Sequence, residues 1–462
     1  MSFSFNLKGM FLLCIFLMLW HMMFMHTFVL GSGVVLGYLV YRQIKCEISI
    51  LDVLFASSFL LNLWYVLCLG INVRQYDYFN FFMHAVYFVD NDFFVKNPIN
   101  YLMSVYFQPP LWGGIAGLVT KIGIMLGNSR EEAFDVVRFV SLFSISGVGI
   151  IGLRLFNLFN FKHIVLLFGY GVFLFLPIHT ILSGLNNNDA FVYFLMTIVI
   201  YQGVIWYQNR GYKNALIIAG ILILAGMTKF SGLMVLSYLA MLGIAILINE
   251  NKLFDKRAWC EFTIIAFGAL IGFSWGGFLL YHNFPLVPPP QGVSYQLMDG
   301  FDIYRRLFDF SNIGELFVDL HAGIVEPNVW LALVKTSVFG EWQWNGGVFA
   351  YILYVGAILL DILFIYGFFG VFKYKLGKDF GVNLAIIVFV FAVFISWALF
   401  WIKFPYFCST EYRYIVALIP VSFMGVISIF SQKNLPKWLE ISLASLSVIF
   451  IMAQVIVCLS TI

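Results

Sequence analysis

The sequence predicts an all-α polytopic membrane protein, built as a bundle of about 13 transmembrane helices. Of its 462 residues, 62% are hydrophobic and only 11% are charged, whereas a soluble domain carries about 25% charged residues. The hydrophobic residues fall into long runs, and each span of a bilayer needs about 20 apolar residues. Because backbone groups in lipid must bond within their own segment, these runs must be helical.

Thirteen apolar runs have the length expected of membrane spans. They cover residues 10–26, 27–41, 50–71, 138–158, 163–181, 189–207, 214–228, 231–248, 260–281, 349–372, 381–402, 413–431 and 439–460. No charged residue separates the first two runs, so they form either one long helix or a hairpin. Gly31 and Gly33 favour the hairpin.

Composition also argues against other classes of protein. The formal net charge is +3, and no basic run resembles a nucleic-acid-binding patch. The six cysteines are scattered and show neither disulfide nor zinc spacing. The N-terminal apolar run lacks a small-residue cleavage site, so we expect it to remain as a membrane anchor.

The distribution of lysine and arginine predicts the orientation of the bundle, because short basic loops favour the cytoplasmic side. Such loops alternate with the others and lie at 42–45, 154–162, 210–213, 252–257, 373–378 and 433–437. The remaining loops, which we expect outside, are 72–137, 182–188, 282–348 and 403–412. These outer loops hold most of the acidic residues, which indicates either a polar site at that face or simply solvated loops.

Two outer loops are long, and structureless loops of this length are usually functional. The first contains an apolar piece, 111–126, which is short for a span and includes Lys121. The alternation of loops requires this piece not to cross the bilayer, so we expect an interfacial helix on the outer face. The second long loop opens with four prolines between 285 and 290.

The first outer loop carries the best candidate for acid–base chemistry. Asp77 follows the third span almost at once and begins an amphipathic segment, 77–89. A carboxylate just above the membrane can act as a general base, although a helix N-cap is the commoner use of such a residue. His84 lies two helical turns along the same face, where packing is the commoner role. Asp90 and Asp92 end the segment or bind a cation.

Further charged residues lie at the outer ends of other spans. Asp189 begins one span and suits a helix cap. Lys229 lies in a short link between apolar runs, where a cation must snorkel or pair with an anion such as a lipid phosphate. Arg413 and Arg138 each begin a span and could each serve as a simple anchor. Three cations and two acids at one level nevertheless favour a shared site.

The order of these pieces resembles the GT-C superfamily of membrane glycosyltransferases, especially protein O-mannosyltransferases and lipid A aminoarabinose transferases. Such enzymes carry, in order, a first-loop acid, a Pro-Pro-Leu segment before an interfacial helix, an arginine, a second acid, a lysine and an Arg-Tyr segment that ends in proline. The matching positions are Asp77, Gln108-Pro109-Pro110-Leu111, Val136-Val137-Arg138-Phe139, Asn188-Asp189-Ala190, Met227-Thr228-Lys229 and Arg413-Tyr414 up to Pro420.

The resemblance implies three parts of the chain. They are an N-terminal membrane anchor (1–49), a GT-C-like transmembrane catalytic domain (50–435) and a final transmembrane helix (436–462). The sequence ends soon after its last span, so we expect no soluble C-terminal domain of the oligosaccharyltransferase kind, and that branch of the superfamily is set aside.

Two positions depart from the family pattern. The family often has a second acid just after the first, but Asp77 is followed by Tyr78 and Phe79. In the aminoarabinose transferases a phosphate-binding lysine precedes the Pro-Pro pair, and Gln108 stands there in this chain. Phosphate binding would therefore rest on other cations, such as Lys229 and Arg413.

The resemblance implies an inverting transfer of a sugar, a mannose-like hexose or a pentose, from a polyprenyl-phosphate donor to an acceptor hydroxyl at the outer face. Asp77 and Asp189 would be the catalytic acids, with Asp77 as the base that takes the hydroxyl proton. The residues that would bind the departing phosphate are Lys229, Arg413 and Arg138. The candidates for binding the sugar or the acceptor are His84, Gln108, Glu341, Trp342 and Glu411.

The implied partners are a lipid-linked sugar donor, a lipid, glycan or protein acceptor, and membrane lipids, without nucleic acid. The resemblance fixes no cofactor and leaves a divalent cation, Mg²⁺ or Mn²⁺, open. We expect a bacterial plasma membrane, with the site facing the periplasm or exterior.

Two other functions fit a membrane bundle. A transporter or lipid flippase would need ionisable residues deep in the membrane, and Asp361 is the acid nearest the middle of a predicted span. A glycan polymerase or ligase of the O-antigen type would share the lipid-linked donor and the long outer loops, but it would transfer a whole oligosaccharide.

Overall fold

The computed structural model describes most of the chain. The described residues are 3–24, 26–70, 74, 77–93, 108–159, 161–249, 256–282, 302–318, 326–374, 380–403, 407–432 and 436–461. Every regular element within them is helical, which confirms the predicted fold class. The prolines at 285–290 and parts of the basic loops at 252–257, 373–378 and 433–437 lie outside the described residues.

The helices follow one another along the chain, and most neighbouring helices are separated by only a few residues. In the first half they are α1 (Leu7–Met23), α2 (Thr27–Ile44), α3 (Ile50–Cys68), α4 (Tyr78–Asp90), α5 (Pro110–Met125), α6 (Arg130–Asp135), α7 (Arg138–Asn157), α8 (His163–Leu174), α9 (Pro177–Ser183), α10 (Asp189–Gln208) and α11 (Tyr212–Thr228). In the second half they are a 3₁₀ helix (Phe230–Val235), α12 (Leu236–Asn249), α13 (Lys256–Gly272), α14 (Ser274–Tyr281), α15 (Ile303–Phe308), α16 (Val329–Phe339), α17 (Val348–Tyr374), α18 (Phe380–Lys403), α19 (Ile419–Gln432) and α20 (Lys437–Thr461). Short 3₁₀ turns at Phe407–Thr410, Tyr412–Tyr414 and Val416–Leu418 join α18 to α19.

The described helices form a membrane bundle with fewer full-length spans than the sequence predicts. Eight of them are long and apolar enough to cross a bilayer, and two bent pairs raise the number to ten if each pair is one span. The predicted number of 13 is not confirmed, because several apolar runs form shorter helices. The run 413–431, for example, opens with 3₁₀ turns, and its α-helix begins only at Ile419.

The first two apolar runs form two antiparallel helices, α1 and α2. The chain reverses at His26, which adopts a left-handed conformation with φ of 69°. His21 Nδ1 lies 3.0 Å from Thr27 Oγ1, and further from the turn Leu17 packs against Gly31. A Cβ atom at Gly31 would lie only 2.7 Å from Leu63 of α3, so the glycine permits close packing of the hairpin on α3.

The start of α3 binds the segment that precedes α1. Asp52 is fully buried and accepts hydrogen bonds from the backbone amide and the hydroxyl of Ser4, both at 2.8 Å. It also accepts from the amide and hydroxyl of Ser49, at 3.0 and 2.7 Å. These four bonds satisfy a carboxylate that would otherwise be costly to bury.

The first long outer loop contains two parallel helices, α4 and α5. The predicted interfacial piece 111–126 forms α5, which packs along α4. A Cβ atom at Gly113 would lie 2.3 Å from the ring of His84. Gly113 therefore lets the two helices approach closely, and this contact fixes the position of α4 in the loop.

The predicted span 163–181 is broken into α8 and α9, which meet at 43°. Pro177 at the break has no amide hydrogen to donate. The Nε2 atom of His179 lies 3.1 Å from the hydroxyl of Tyr193, and its ring meets that of Phe173 edge-on, with 5.2 Å between the ring centres. The histidine thus packs α9 against both the end of α8 and the start of α10.

A cluster of charged residues lies where α10 ends and α13 begins. Glu261 is fully buried and accepts from Trp206 Nε1 at 2.9 Å. Arg210 donates to the same carboxylate from Nε and Nη2, both at 3.1 Å, and Arg257 Nε donates at 3.2 Å. We call these four residues the Glu261 cluster.

Candidate active site

Residues from four separate segments meet at one end of the bundle. Asp77 immediately precedes α4, Asp189 is the first residue of α10, and Lys229 separates α11 from the following 3₁₀ helix. Glu411 and Arg413 come from the 3₁₀ turns before α19. Asp77 and Arg413 form an ion pair although they are 336 residues apart in the sequence, so only the fold brings them together.

Arg413 lies at the centre of this group. Its Nη1 donates to Asp77 Oδ2 at 3.1 Å and lies 3.6 Å from Asp189 Oδ2. Its Nη2 donates to Glu411 Oε1 at 3.0 Å, and its Nε lies 2.8 Å from Glu411 Oε2. One guanidinium therefore holds three carboxylates, and its planar set of donors suits this role better than a lysine would.

Lys229 forms the second cationic contact of the site. Its ammonium group makes a short ion pair with Asp189 Oδ1, and it lies 5.4 Å from the ring centre of Tyr414. The neighbouring Asn188 donates to the carbonyl of Thr228 at 3.1 Å and to Gln108 Oε1 at 3.3 Å. The Pro-Pro segment that begins with Gln108 is thereby placed beside Lys229.

Arg413 stands between two cavities. The first, which we call the site cavity, has a volume of about 540 Å³ including its opening. One wall is apolar and comes from α4 and α9, while polar side chains form the rest. The polar and aromatic lining consists of Arg74, Asp77, Tyr78, Asn187, Thr336, Glu341, Trp342, Glu411 and Arg413.

The second cavity, which we call the apolar cavity, has a volume of about 360 Å³ and shares Arg413 with the site cavity. Lys229, Asp189 and Arg413 form its polar end. Its remaining wall is mostly apolar and is lined by Val192, Tyr193, Met196, Met234, Val393, Val416 and Ala417. Arg413 therefore lines both cavities, whereas Lys229 and Asp189 line only the apolar cavity.

Two glutamates of the site, Glu341 and Glu411, are buried and line the site cavity together. Burial raises the pKa of Glu341 well above its usual range, and the neighbouring negative charge of Glu411 raises it further. Burial also raises the pKa of Glu411, but Arg413 opposes this shift.

Three of the sequence candidates, Gln108, His84 and Arg138, line neither cavity. Gln108 contacts Asn188. His84 is buried against Gly113 and Phe88, and burial lowers its pKa to about 3. Arg138 is buried and donates to the carbonyls of Val66 and Leu69 at 3.0 and 2.8 Å.

The remaining nitrogens of Arg138 contact Asp135. The phosphate-binding role predicted for Arg138 therefore has no support, because its guanidinium is occupied in closing the end of α3.

The site cavity also contains residues that sequence reasoning missed. The guanidinium of Arg74 lies 4.5 Å from the ring centre of Trp344, and Trp344 stacks on Tyr65 at 5.8 Å. Thr336 accepts a hydrogen bond from the Tyr412 amide at 2.9 Å. Proximity to Asp77 in the sequence was the only available signal for Arg74.

Within the described residues, no group of three or more histidine, cysteine, aspartate or glutamate side chains is arranged to hold a metal ion. The carboxylates of the site contact Arg413 and Lys229 instead. The divalent cation that the sequence left open therefore gains no support from the described geometry.

The fold is shared with solved structures of archaeal oligosaccharyltransferases. No protein-family model and no curated protein sequence matches the chain. The apo crystal structure of the Archaeoglobus fulgidus oligosaccharyltransferase superimposes with a TM-score of 0.51 at 11% identity, over 89% of this chain and 56% of that one. The enzyme AglB from the same organism, with an inhibitory peptide and a dolichol-phosphate, gives 0.50 at 11% identity, over 88% and 55%.

A third structure, of the Archaeoglobus fulgidus enzyme tethered to an acceptor peptide with the NVT sequon, gives 0.50 at 12% identity, over 88% and 54%. The chain spans about half the length of these proteins. At this identity the likeness shows the fold alone, and it places the chain among GT-C-like membrane bundles. The likeness is to the oligosaccharyltransferase branch, which the sequence had set aside.

Proposed function

We propose that this protein is a membrane glycosyltransferase that moves a sugar from a polyprenyl-phosphate donor to an acceptor hydroxyl at the outer membrane face. The observation that carries the proposal is the position of Arg413 between the two cavities. A transfer of this kind needs a polar chamber for the reacting sugar and an apolar channel for the lipid, joined at a phosphate-binding cation.

The apolar cavity suits the lipid phosphate and the first part of its tail. Lys229 and Arg413 close this cavity with two positive charges, and charge-assisted contacts to phosphate are the strong ones. The AglB structure was solved with a dolichol-phosphate, and we assign the same class of lipid to this chain. Asp189 contacts both cations, so we assign it a positioning role.

The site cavity suits the sugar and the acceptor. Asp77 is the most exposed acid of the ion-paired group, with 40% of its side chain accessible, and it lines this cavity. Its carboxylate would accept the proton of the acceptor hydroxyl. The hydroxyl oxygen then attacks the anomeric carbon, the bond from that carbon to the phosphate oxygen breaks, and the phosphate keeps the electron pair. Attack from the side opposite the phosphate inverts the anomeric centre.

Developing negative charge on the phosphate would be stabilised by Lys229 and Arg413, which are already in place. Trp342 lies in the cavity wall, where an aromatic ring can pack against a sugar.

A second candidate is the transfer of a whole oligosaccharide. It is favoured by the similarity to oligosaccharyltransferases, one of which was solved with an acceptor peptide. The two candidates share Asp77, Lys229 and Arg413 and differ only in the glycan that the site cavity receives.

The test is a transfer assay with purified protein in lipid vesicles and a panel of radiolabelled polyprenyl-phosphate sugars and polyprenyl-linked oligosaccharides. We expect one monosaccharide donor to be consumed by the wild type and not by Asp77→Asn. Consumption of an oligosaccharide donor alone would support the second candidate. If purified wild type consumes none of the donors, the proposal is wrong.

A further inference from the structure

One stretch of the second long loop exposes aromatic side chains. We call residues 303–313 the loop segment, which begins with α15. Tyr304 and Phe308 lie four residues apart on one face of α15 and are 73% and 68% exposed. Phe310 and Ile313 follow and are exposed as well. Four large apolar side chains so close together mark a surface that binds another protein or a membrane.

Two contacts hold the loop segment beside the ends of α17 and α18. Arg306 is fully buried, and its guanidinium lies 5.9 Å from the ring centre of Trp401, in the last turn of α18. In the second turn of α17, the hydroxyl of Tyr354 donates to the carbonyl of Ile313 at 3.1 Å. Both helices are long and apolar enough to cross a bilayer. The loop segment therefore lies at the level where these two spans leave the membrane.

The next helix along the chain, α16, reaches further along α18. The ring centres of Trp330 and Trp397 are 6.2 Å apart, and Trp397 lies one helical turn further from the end of α18 than Trp401. Trp330 is nonetheless exposed, and α18 exposes Ile395 and Leu399 over the same stretch. In a bilayer these side chains face lipid, so the exposed face of the second loop continues the lipid-facing surface of α18.

We propose that the loop segment binds the membrane itself, with Tyr304 and Phe308 inserted among the lipids at the active-site end of the bundle. Aromatic rings are favoured at the boundary between lipid and water, and insertion removes their exposed apolar surface from water. Arg305 pairs with Asp309 at 3.1 Å, and its long side chain can reach the lipid headgroups. This surface lies outside the proposed transfer step, so its role does not rest on that reaction.

The loop segment is joined to the candidate active site through α16. The ammonium group of Lys335 donates to the carbonyl of Asn312 at 2.9 Å. The next residue, Thr336, lines the site cavity and accepts a hydrogen bond from the Tyr412 amide at 2.9 Å. Tyr412 directly precedes Arg413. A loop segment fixed on the membrane therefore steadies, through one helix, the turn that carries Arg413.

Photo-crosslinking in vesicles tests the membrane contact without any assay of sugar transfer. The full chain carries Phe308→benzoylphenylalanine, is reconstituted into vesicles of radiolabelled phosphatidylcholine and is irradiated. We expect labelled lipid on the protein at a level similar to that at Ile395, which α18 exposes, and several-fold above that at Glu131, an exposed residue of α6. Labelling as low as at Glu131 would overturn the proposal. A covalent dimer without labelled lipid would overturn it too, because a second copy would then cover the patch.

Two further variants complete the test. Tyr304→benzoylphenylalanine places the probe on the same face of α15 and replaces the first variant if that one does not fold. Tyr304→Asp combined with Phe308→Asp puts two charges where lipid contact is proposed. We expect hydrogen exchange of the α16 amides in vesicles to become several-fold faster in this double variant and to stay at the wild-type rate in Glu131→Gln. Unchanged exchange in the double variant would overturn the steadying of α16 by the membrane.

Discussion

Two of the buried charge clusters in the described part of the bundle, the Glu261 cluster and the group around Arg413, differ in what surrounds them. In the Glu261 cluster, one fully buried acid receives donors from two arginines and a tryptophan. Around Arg413, one arginine and one lysine face three acids that are paired with them. The Glu261 residues line none of the described cavities, whereas the Arg413 group lines two.

The difference shows that a buried ion-pair cluster is not in itself a sign of catalysis. Glu261 joins α13 to the end of α10, and its contacts are satisfied by the protein. The Arg413 group has three carboxylates against two cations, and it lines cavities that a ligand can fill. Access and charge balance, more than burial, separate the candidate active site from a structural clamp.

Asp77→Asn should have the strongest effect on activity of the variants described below. The change is nearly isosteric and removes the proposed base, so the transfer rate should fall by roughly 10²- to 10⁴-fold while the protein stays folded. The measurement is the initial rate of sugar transfer per folded molecule. Asp92→Asn, in an exposed residue of the same loop that lies 3.8 Å from Lys121, is the control and should keep the wild-type rate.

The second prediction concerns stability at the other cluster. Glu261→Gln leaves two arginines without their acid and should lower the free energy of unfolding by about 2–3 kcal/mol, without changing the transfer rate per folded molecule. Thermal unfolding in detergent measures the loss. Glu47→Gln, which breaks an exposed ion pair with Arg42, should cost less than about 1 kcal/mol. Equal effects of the two variants would contradict the structural role of Glu261.

The third prediction is a loss of donor affinity in Lys229→Ala. Removal of one of the two proposed phosphate contacts should weaken donor binding by about tenfold to a hundredfold. Titration with a polyprenyl-phosphate sugar measures the effect. Lys121→Ala removes an exposed cation of the first outer loop and should leave donor affinity unchanged. Unchanged affinity in Lys229→Ala would exclude the apolar cavity as the phosphate site.

The smallest expected effect is at the helix pair beside the site. In Gly113→Ala the new methyl group would lie 2.3 Å from the His84 ring, so α4 and α5 must separate, at a cost of about 1–3 kcal/mol. Because Asp77 precedes α4, the transfer rate should fall as well. Gly114→Ala meets no atom within 4 Å and should leave the unfolding temperature and the rate almost unchanged.

The sequence predicts the bundle better than it predicts the site. Apolar runs locate the helices because lipid requires every span to bond internally, and charge alternation places Asp77, Asp189, Lys229 and Arg413 at one face. The structure brings these four into contact.

Three features could not be read from the sequence. A span pattern does not show that His179 contacts Tyr193 and Phe173 beside the break at Pro177, because these contacts depend on the side chain's direction. Arg138 looks like the other interfacial cations, yet its partners are carbonyls at the end of α3. Glu341 and Glu411 come from distant loops and line the same cavity, and single-sequence patterns carry no information on such distances.

The bonds between Asp52 and Ser4 bear on how the bundle is inserted during synthesis. Until Ser4 arrives, Asp52 lacks two of its four hydrogen bonds, and an acid at the edge of a span is then poorly tolerated in lipid. Ser4, in the segment that precedes α1, leaves the ribosome before α3 does, so this segment must stay within reach until Asp52 has been synthesised. We therefore expect the translocation machinery to release α1, α2 and α3 into the bilayer together.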